Sequence, residues 1–258
     1  MDLFIKILVC FLAGAGAGLG TGFAGLSAAA VITPLLITFL GVDTYTAVGI
    51  ALASDVLASV ISAYTYKKHG NTDVKNGLIL LIAVLSFTIV GSYVASLVSS
   101  KVAGNFAIVM TAILGLRFII FPVKTTKEKS EAVDKKSRIW KSIVFGSLIG
   151  FVCGFVGAGG GVLMLVIFTS VLGYDLKTAV GTSVFVMTFT ALMGAVSHFA
   201  IDGIPDLTIL ALCVGFTFIW ARIGARIANK SNAKTLNLVT GILLLTIGIV
   251  VMIVNFIF

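Results

Sequence analysis

Charge is what this chain has least of: 11% of its 258 residues are Asp, Glu, Lys or Arg, against about a quarter in an ordinary soluble domain. With 59% hydrophobic residues and a mean hydropathy of +1.17, that scarcity excludes a water-soluble globule and makes the chain an integral membrane protein. Cysteine is nearly missing as well. Cys10, Cys153 and Cys213 sit singly inside apolar runs and form no spaced pair, so neither a disulfide framework nor a metal site is implied. There is no P-loop, which removes direct ATP coupling within the chain. A convincing nucleophile and base are also lacking, so no enzyme, organic cofactor or catalytic residue is expected. His198 and Asp202 share a helix face, but two groups without further ligands make a weak case for a relay, a metal or catalysis.

What the chain does have is length in apolar runs. They fall near residues 3–20, 23–40, 46–66, 77–99 and 104–122, and again near 139–156, 160–173, 178–201, 206–228 and 235–258. A spanning helix needs about 17 to 25 apolar residues, so the third, fourth and fifth runs of each set qualify, while the first two are marginal and broken by glycine. The first run has the look of a signal peptide, yet the matching run at 139–156 cannot be cleaved, and both are read as retained.

The formal net charge is +8, and its placement is informative. Lys67, Lys68, His69 and Lys75 crowd one loop. Lys124, Lys127, Lys129, Lys135, Lys136, Arg138 and Lys141 crowd the central one. Both loops are expected on the cytoplasmic side of a cell membrane, with the Asp202 to Asp206 loop and both termini outside. The excess of base is thus a topology signal, and no nucleic-acid partner is expected. Arg222 and Arg226 then snorkel at the inner surface, as does Arg117.

Shifting the chain by 132 residues lays Gly14, Gly18, Gly22, Phe23, Gly25, Leu40, Gly41, Asp43, Thr46, Ala47, Val48 and Gly49 onto Gly146, Gly150, Gly154, Phe155, Gly157, Leu172, Gly173, Asp175, Thr178, Ala179, Val180 and Gly181. The match needs no gap and marks a duplication. Five elements per half is an odd number, so the halves insert in opposite senses. The fold class is therefore an all-α polytopic membrane protein of two inverted-topology repeats. Each repeat has a glycine-broken re-entrant or short helix hairpin plus three transmembrane helices. Residues 1–123 form the first repeat, 124–141 a cytoplasmic linker and 142–258 the second.

Glycines spaced by four, Gly14, Gly18 and Gly22 with Gly146, Gly150 and Gly154, line one helix face and admit a close neighbour. The stretch Gly154 to Gly161 is too glycine-dense for a good helix and is expected to be unwound. Irregular backbone at membrane depth persists only where protein buries it or it lines a wet cavity. A glycine turn followed by a helix start presents free N–H groups and the positive end of a dipole, which suits an anion. If the first two runs of each half cross fully, the two turns lie on opposite faces, about 30 Å apart. If each pair dips in and returns, both turns meet near the midplane, and this arrangement is favoured. The plain alternative is that the glycines only pack helix hairpins together.

The segments Gly22-Phe23-Ala24-Gly25 through Pro34 and Gly154 through Gly161 are each followed by a Gly-x-Asp turn. Thr46-Ala47-Val48-Gly49 or Thr178-Ala179-Val180-Gly181-Thr182-Ser183 comes next. Over nearly its whole length the chain resembles the TauE/SafE sulfite exporter family of permeases. The resemblance implies a carrier of small sulfur-containing anions such as sulfite, sulfonates or sulfoacetate, without covalent chemistry. The first half departs from the family pattern, with Leu26-Ser27-Ala28-Ala29-Ala30 in place of further glycines, and the second has Val166 where Pro34 stands in the first.

The anion is expected on backbone N–H groups around Gly22, Gly25 and Ser27 and around Gly154, Gly157, Gly159, Gly160 and Gly161, helped by hydroxyls of Ser27, Ser54, Thr182 and Ser183. Asp55 lies mid-run, where an ionisable group costs at least about 2.5 to 3.5 kcal/mol, and is a functional candidate by default. It is read as the coupling residue, protonated during part of the cycle, or else as a buried aspartate satisfied by neighbouring groups. Its face carries Ser59, Ser62 and Tyr66, and the matching face carries Ser183, Met187, Thr190, Gly194 and Ser197. Asp43 and Asp175 precede helical runs and are read as N-caps. The functional expectation is a secondary transporter working by alternating access, its partners a sulfur-oxo anion and the lipid bilayer. A passive anion channel is the alternative.

Overall fold

The structure, a computed structural model, describes residues 3–95, 116, 119–122, 135–156 and 160–257. No strand occurs among them. In the first half run α1 (Leu3–Ala24), α2 (Ala29–Leu40), α3 (Thr44–Lys68) and α4 (Val74–Ala95). In the second run α5 (Lys135–Val156), α6 (Gly160–Ser170), α7 (Leu176–Asp202), α8 (Leu207–Lys230) and α9 (Ala233–Ile257). The run expected near 104–122 lies outside the described residues apart from 116 and 119–122. Helix α5 already begins at Lys135, so residues 135–141 of the expected linker are helical.

Among the described residues six helices are long and apolar enough to cross a membrane: α1, α3, α4, α7, α8 and α9. Their outward faces are apolar, as at Phe4 (70% exposed) and Ile89 (74%), while Asp55, Ser59, Ser62, Thr182 and Ser183 are buried. Apolar surface outside and hydroxyls inside is the arrangement a bilayer solvent selects. The marginal length expected of the first run does not hold. Helix α1 has 22 residues, about 33 Å at 1.5 Å per residue. The short member of each pair is the second, with 12 residues in α2 and 11 in α6.

The 132-residue relation recurs in the elements themselves. Helix α3 begins at 44 and α7 at 176. Asp43 and Asp175 cap α3 and α7, accepting the N–H groups of Thr46 and of Lys177 and Thr178 respectively. After α2 and α6 the chain turns through Gly41 and Gly173, both left-handed at φ 62° and 69°, a conformation that glycine adopts without the usual Cβ clash.

Packing repeats as well. Helix α1 lies along α8, and α4 lies along α5, the counterparts exchanged. One interface is therefore built twice. At the first, Gly14 faces Phe216, Gly18 faces Ala221 and Gly22 faces Ala225, so the two helices run in the same direction. At the second, Gly146 meets Leu80 and Ala83, and Gly150 meets Val84. The four-residue glycine spacing thus does what such spacing does in membranes, bringing helix backbones into contact.

At the centre α3 packs on α7. Gly49 and Tyr45, early in α3, touch His198, late in α7, while Tyr66, late in α3, packs on Gly181, early in α7. These two helices are counterparts in the repeat, and they run antiparallel.

Candidate functional site

Helix α1 stops where Gly25 enters the left-handed region at φ 62°. Its N–H still reaches back to Thr21 O at 3.0 Å, and Leu26 N–H reaches Gly20 O at 3.2 Å, so the chain turns without stranding its donors. Thr21 Oγ1 donates to Ala17 O or Leu26 O, 2.9 and 2.8 Å away, and braces the turn from inside. Helix α2 then begins at Ala29, with Ser27 Oγ taking the Ala29 N–H at 3.4 Å.

Part of the second glycine-rich stretch is helical. Helix α5 stays helical through Gly154 to Val156, and α6 starts at Gly160. Gly146 and Gly150 of the same helix pack against α4, and interhelical packing of that kind offsets a propensity loss of about 1 kcal/mol per glycine. Gly157 and Gly159 lie outside the described residues.

The two breaks come together. The carbonyl of Gly25 abuts Gly161, so closely that a Cβ on Gly161 would overlap it, and the Sδ of Met187 closes the other side of that glycine. Gly25 also lies on Ser183, with 3.3 Å between the Ser183 Cβ and the position a Gly25 Cβ would take. Gly25, Gly161 and Ser183 therefore form one locus, with Gly160 beside it in the first turn of α6. The opening N–H groups of a helix have no partner within it.

Asp55 is 1% exposed, against the start of α2. Ser27 Oγ donates to Oδ2 at 2.8 Å and Ser59 Oγ to Oδ1 at 3.2 Å, and the Ala28 N–H faces the same carboxylate. Among the described residues no ion pair involves it. Ser59, Ser62 and Tyr66 on the same face are all fully buried, whereas Ser197 on the matching face of α7 is exposed.

Other expected site residues are occupied elsewhere. Gly22 is inside α1, pressed on the α8 backbone, and its carbonyl accepts Tyr66 Oη–H at 2.9 Å. Ser54 returns its hydroxyl to Ile50 O in its own helix at 2.8 Å, as Ser183 does to Ala179 O. Thr182 Oγ1 accepts the Asp73 N–H at 3.0 Å and so anchors the α3–α4 loop to α7. His198 makes its contact with Tyr45, Nδ1 lying 3.1 Å from the carbonyl and the rings 4.1 Å apart.

The two ends of the α3–α7 pair differ in charge. At one end Asn71 Nδ2 donates to Asn229 Oδ1 at 2.6 Å and Lys177 Nζ to Asn229 O at 2.7 Å, with Lys67, Lys68, Arg222, Arg226 and Lys230 exposed on the two helices so joined. Toward the other end of α8, Lys6 pairs with Asp206 at 2.6 Å. The ammonium holds Asp206 down to about 2, and the Thr208 N–H at 2.8 Å helps. Asp43 is likewise lowered by its bonds to Thr46. The same α1–α8 contact brings Cys10 to Cys213, both free thiols.

Tyr66 and His198 are a pair that sequence reasoning placed without relating them. They are equivalent at 132 residues, and each lies on the equivalent glycine of the opposite helix, Gly181 or Gly49. The signal was present, since Gly49 and Gly181 are among the repeat identities.

Spanning helices, an apolar exterior, a polar interior and two interrupted helices meeting inside define a multi-pass membrane protein of the transporter class. The model of the sulfite exporter TauE/SafE family matches residues 10–251, and the chain belongs to that family. It is 27% identical to the probable membrane transporter protein YunE of Bacillus subtilis (strain 168), with 95% of this chain and 94% of that protein covered. It is 26% identical to the probable membrane transporter protein YdhB of the same organism, over 86% and 89%. A probable membrane transporter protein of Haemophilus influenzae is also 26% identical, over 90% and 88%.

Proposed function

We propose that the chain is a secondary permease for small sulfur-containing anions such as sulfite, sulfonates or sulfoacetate, working by alternating access. The observation that carries the reading is the meeting of the Gly25 break with the start of α6 at Gly160 and Gly161. A helix start beside a second interrupted helix directs its opening N–H groups and a positive dipole at a tetrahedral oxyanion without a full counter-charge. Such a site releases its anion as readily as it takes it, which a carrier needs. Family membership supports the substrate class, and the names of the relatives support transport.

Residues 1–123 and 142–258 form two repeats inserted in opposite senses, with both termini outside and the central segment cytoplasmic. Antiparallel packing of α3 on α7 supports this, because counterparts related by an axis along the membrane normal would run parallel. The basic end of the pair faces the cytoplasm. Gly160 and Gly161 hold the anion, and Asp55 carries the coupling proton, since a bare carboxylate beside the path repels the substrate.

Thermal stability of the purified protein against sulfite, sulfate, thiosulfate, sulfoacetate, taurine, phosphate and acetate tests the reading, because a ligand of the folded state raises its apparent stability. One sulfur-oxo anion is expected to raise the midpoint selectively, and Gly161→Val to remove the shift. A panel without selectivity counts against the substrate class.

A further inference from the structure

Helices α1 and α8 lie side by side in one direction, and their contact continues past the glycines. Cys10 comes one turn before Gly14, and Cys213 one turn before Thr217. A Cβ on Gly14 would lie 2.6 Å from Phe216 Cβ and 3.0 Å from the Thr217 nitrogen, so the two backbones touch one turn from the cysteines. Both cysteines are fully buried, and their thiols interact across the interface. Contacts on either side hold this register. Lys6 Nζ and Asp206 Oδ2 are 2.6 Å apart nearer the helix starts, and Phe11 stands edge-on to Phe216 with ring centroids 5.3 Å apart. Neither helix has to turn or slide for the sulfurs to meet. A disulfide spans Cα atoms about 4.4 to 6.8 Å apart, a separation that in-register residues of touching helices supply.

Packing alone gives no reason for two sulfurs here. At the twin interface of α4 and α5 the equivalent positions are Leu81 and Ser142, and both are buried. Cys153, the third cysteine, lies against Gly160 in the second half. No spacing in the sequence pairs Cys10 with Cys213; the parallel register of α1 and α8 does.

We propose that Cys10 and Cys213 are a site of reversible oxidation, forming a disulfide that fastens α1 to α8 inside the apolar layer. The oxidant is small and uncharged, of the halogen class, since burial closes both sulfurs to charged reagents in water. One sulfur takes a halogen atom and releases a halide and its proton. The second sulfur displaces the other halide and loses its own proton. Two S–H bonds break, one S–S bond forms, and the two electrons leave on the halides. A dithiol reductant reverses the bond by thiol–disulfide exchange. Formation of the bond does not depend on which anion is carried.

The test is oxidation of the purified full chain in lipid nanodiscs with one equivalent of molecular iodine, then a count of maleimide-reactive thiols after denaturation. The count is expected to fall from three to one, with Cys153 the survivor. Mass spectrometry of the unreduced digest is expected to show the Cys10 peptide joined to the Cys213 peptide, and dithiothreitol to restore all three thiols. In Cys10→Ser both remaining thiols should survive the same treatment. A count that stays at three overturns the proposal. So does a loss of thiols without the joined peptides, a bond through Cys153, or a bond between two chains.

Discussion

Lys6 and Asp206 sit 200 residues apart in sequence and 2.6 Å apart in space, and they tie the start of α1 to the start of α8. Asp206 is held at about 2 by that contact, below the ~3.9 of an unfolded chain. Between those values the unfolded state binds the extra proton, so stability rises with pH through the window. The contribution is fully present above pH ~3.9 and is lost as the pH falls through about 2. Replacing Lys6 with Met should lower the thermal midpoint slightly at pH 6, the pair being partly exposed, and the difference from the unaltered chain should shrink to nothing near pH 2. A difference constant with pH contradicts the assignment. Single residues were legible in the sequence where one local rule decided them. Asp43 and Asp175 read as N-caps because a carboxylate just before a helix satisfies its first N–H groups, and both do so. Asp55 read as important because of its depth, but its partner Ser27 is 28 residues away, and no local spacing announces that pair.

Between elements, glycine is the residue that decides. A Cβ on Gly18 would lie 2.8 Å from the Ala221 nitrogen and 2.8 Å from the Trp220 Cβ, so α1 and α8 have to separate to admit even a methyl group. Gly215, also on α8, has open space around its missing side chain. Gly18→Ala is therefore expected to destabilise by about 1 to 3 kcal/mol. Gly215→Ala should be neutral or stabilise by up to about 1 kcal/mol through helix propensity. Thermal unfolding of both variants in one detergent checks the pair, and equal losses contradict the packing. The four-residue glycine stripe was readable as a contact face, though its partner was not, because α8 belongs to the other half. Propensity misled at Gly154 to Val156, which remain in α5. It also misjudged α1, a full-length helix whose glycines face a neighbour.

For the whole molecule, the duplication was the most legible feature, and the structure carries it into helix starts, caps and interfaces. How the halves interlock could not be read from the sequence, since α1 packing on α8 joins segments more than half the chain apart and α4 on α5 again joins one half to the other. Interlocking has a consequence for movement. With α1 lying along α8, the first half cannot rock as a block without taking that helix of the second with it. Tyr66 on Gly181 and His198 on Gly49 are equivalent contacts at the two ends of the α3–α7 pair, one fully buried and the other partly exposed. A carrier of this kind exchanges substrate across the membrane, and a channel does not. The most direct measurement is counterflow of radiolabelled sulfite into proteoliposomes preloaded with unlabelled sulfite. Transient accumulation of label above its outside concentration, lost in Gly161→Val, is the expected result; label that only equilibrates, at a rate indifferent to internal sulfite, would contradict alternating access at the meeting of the two breaks.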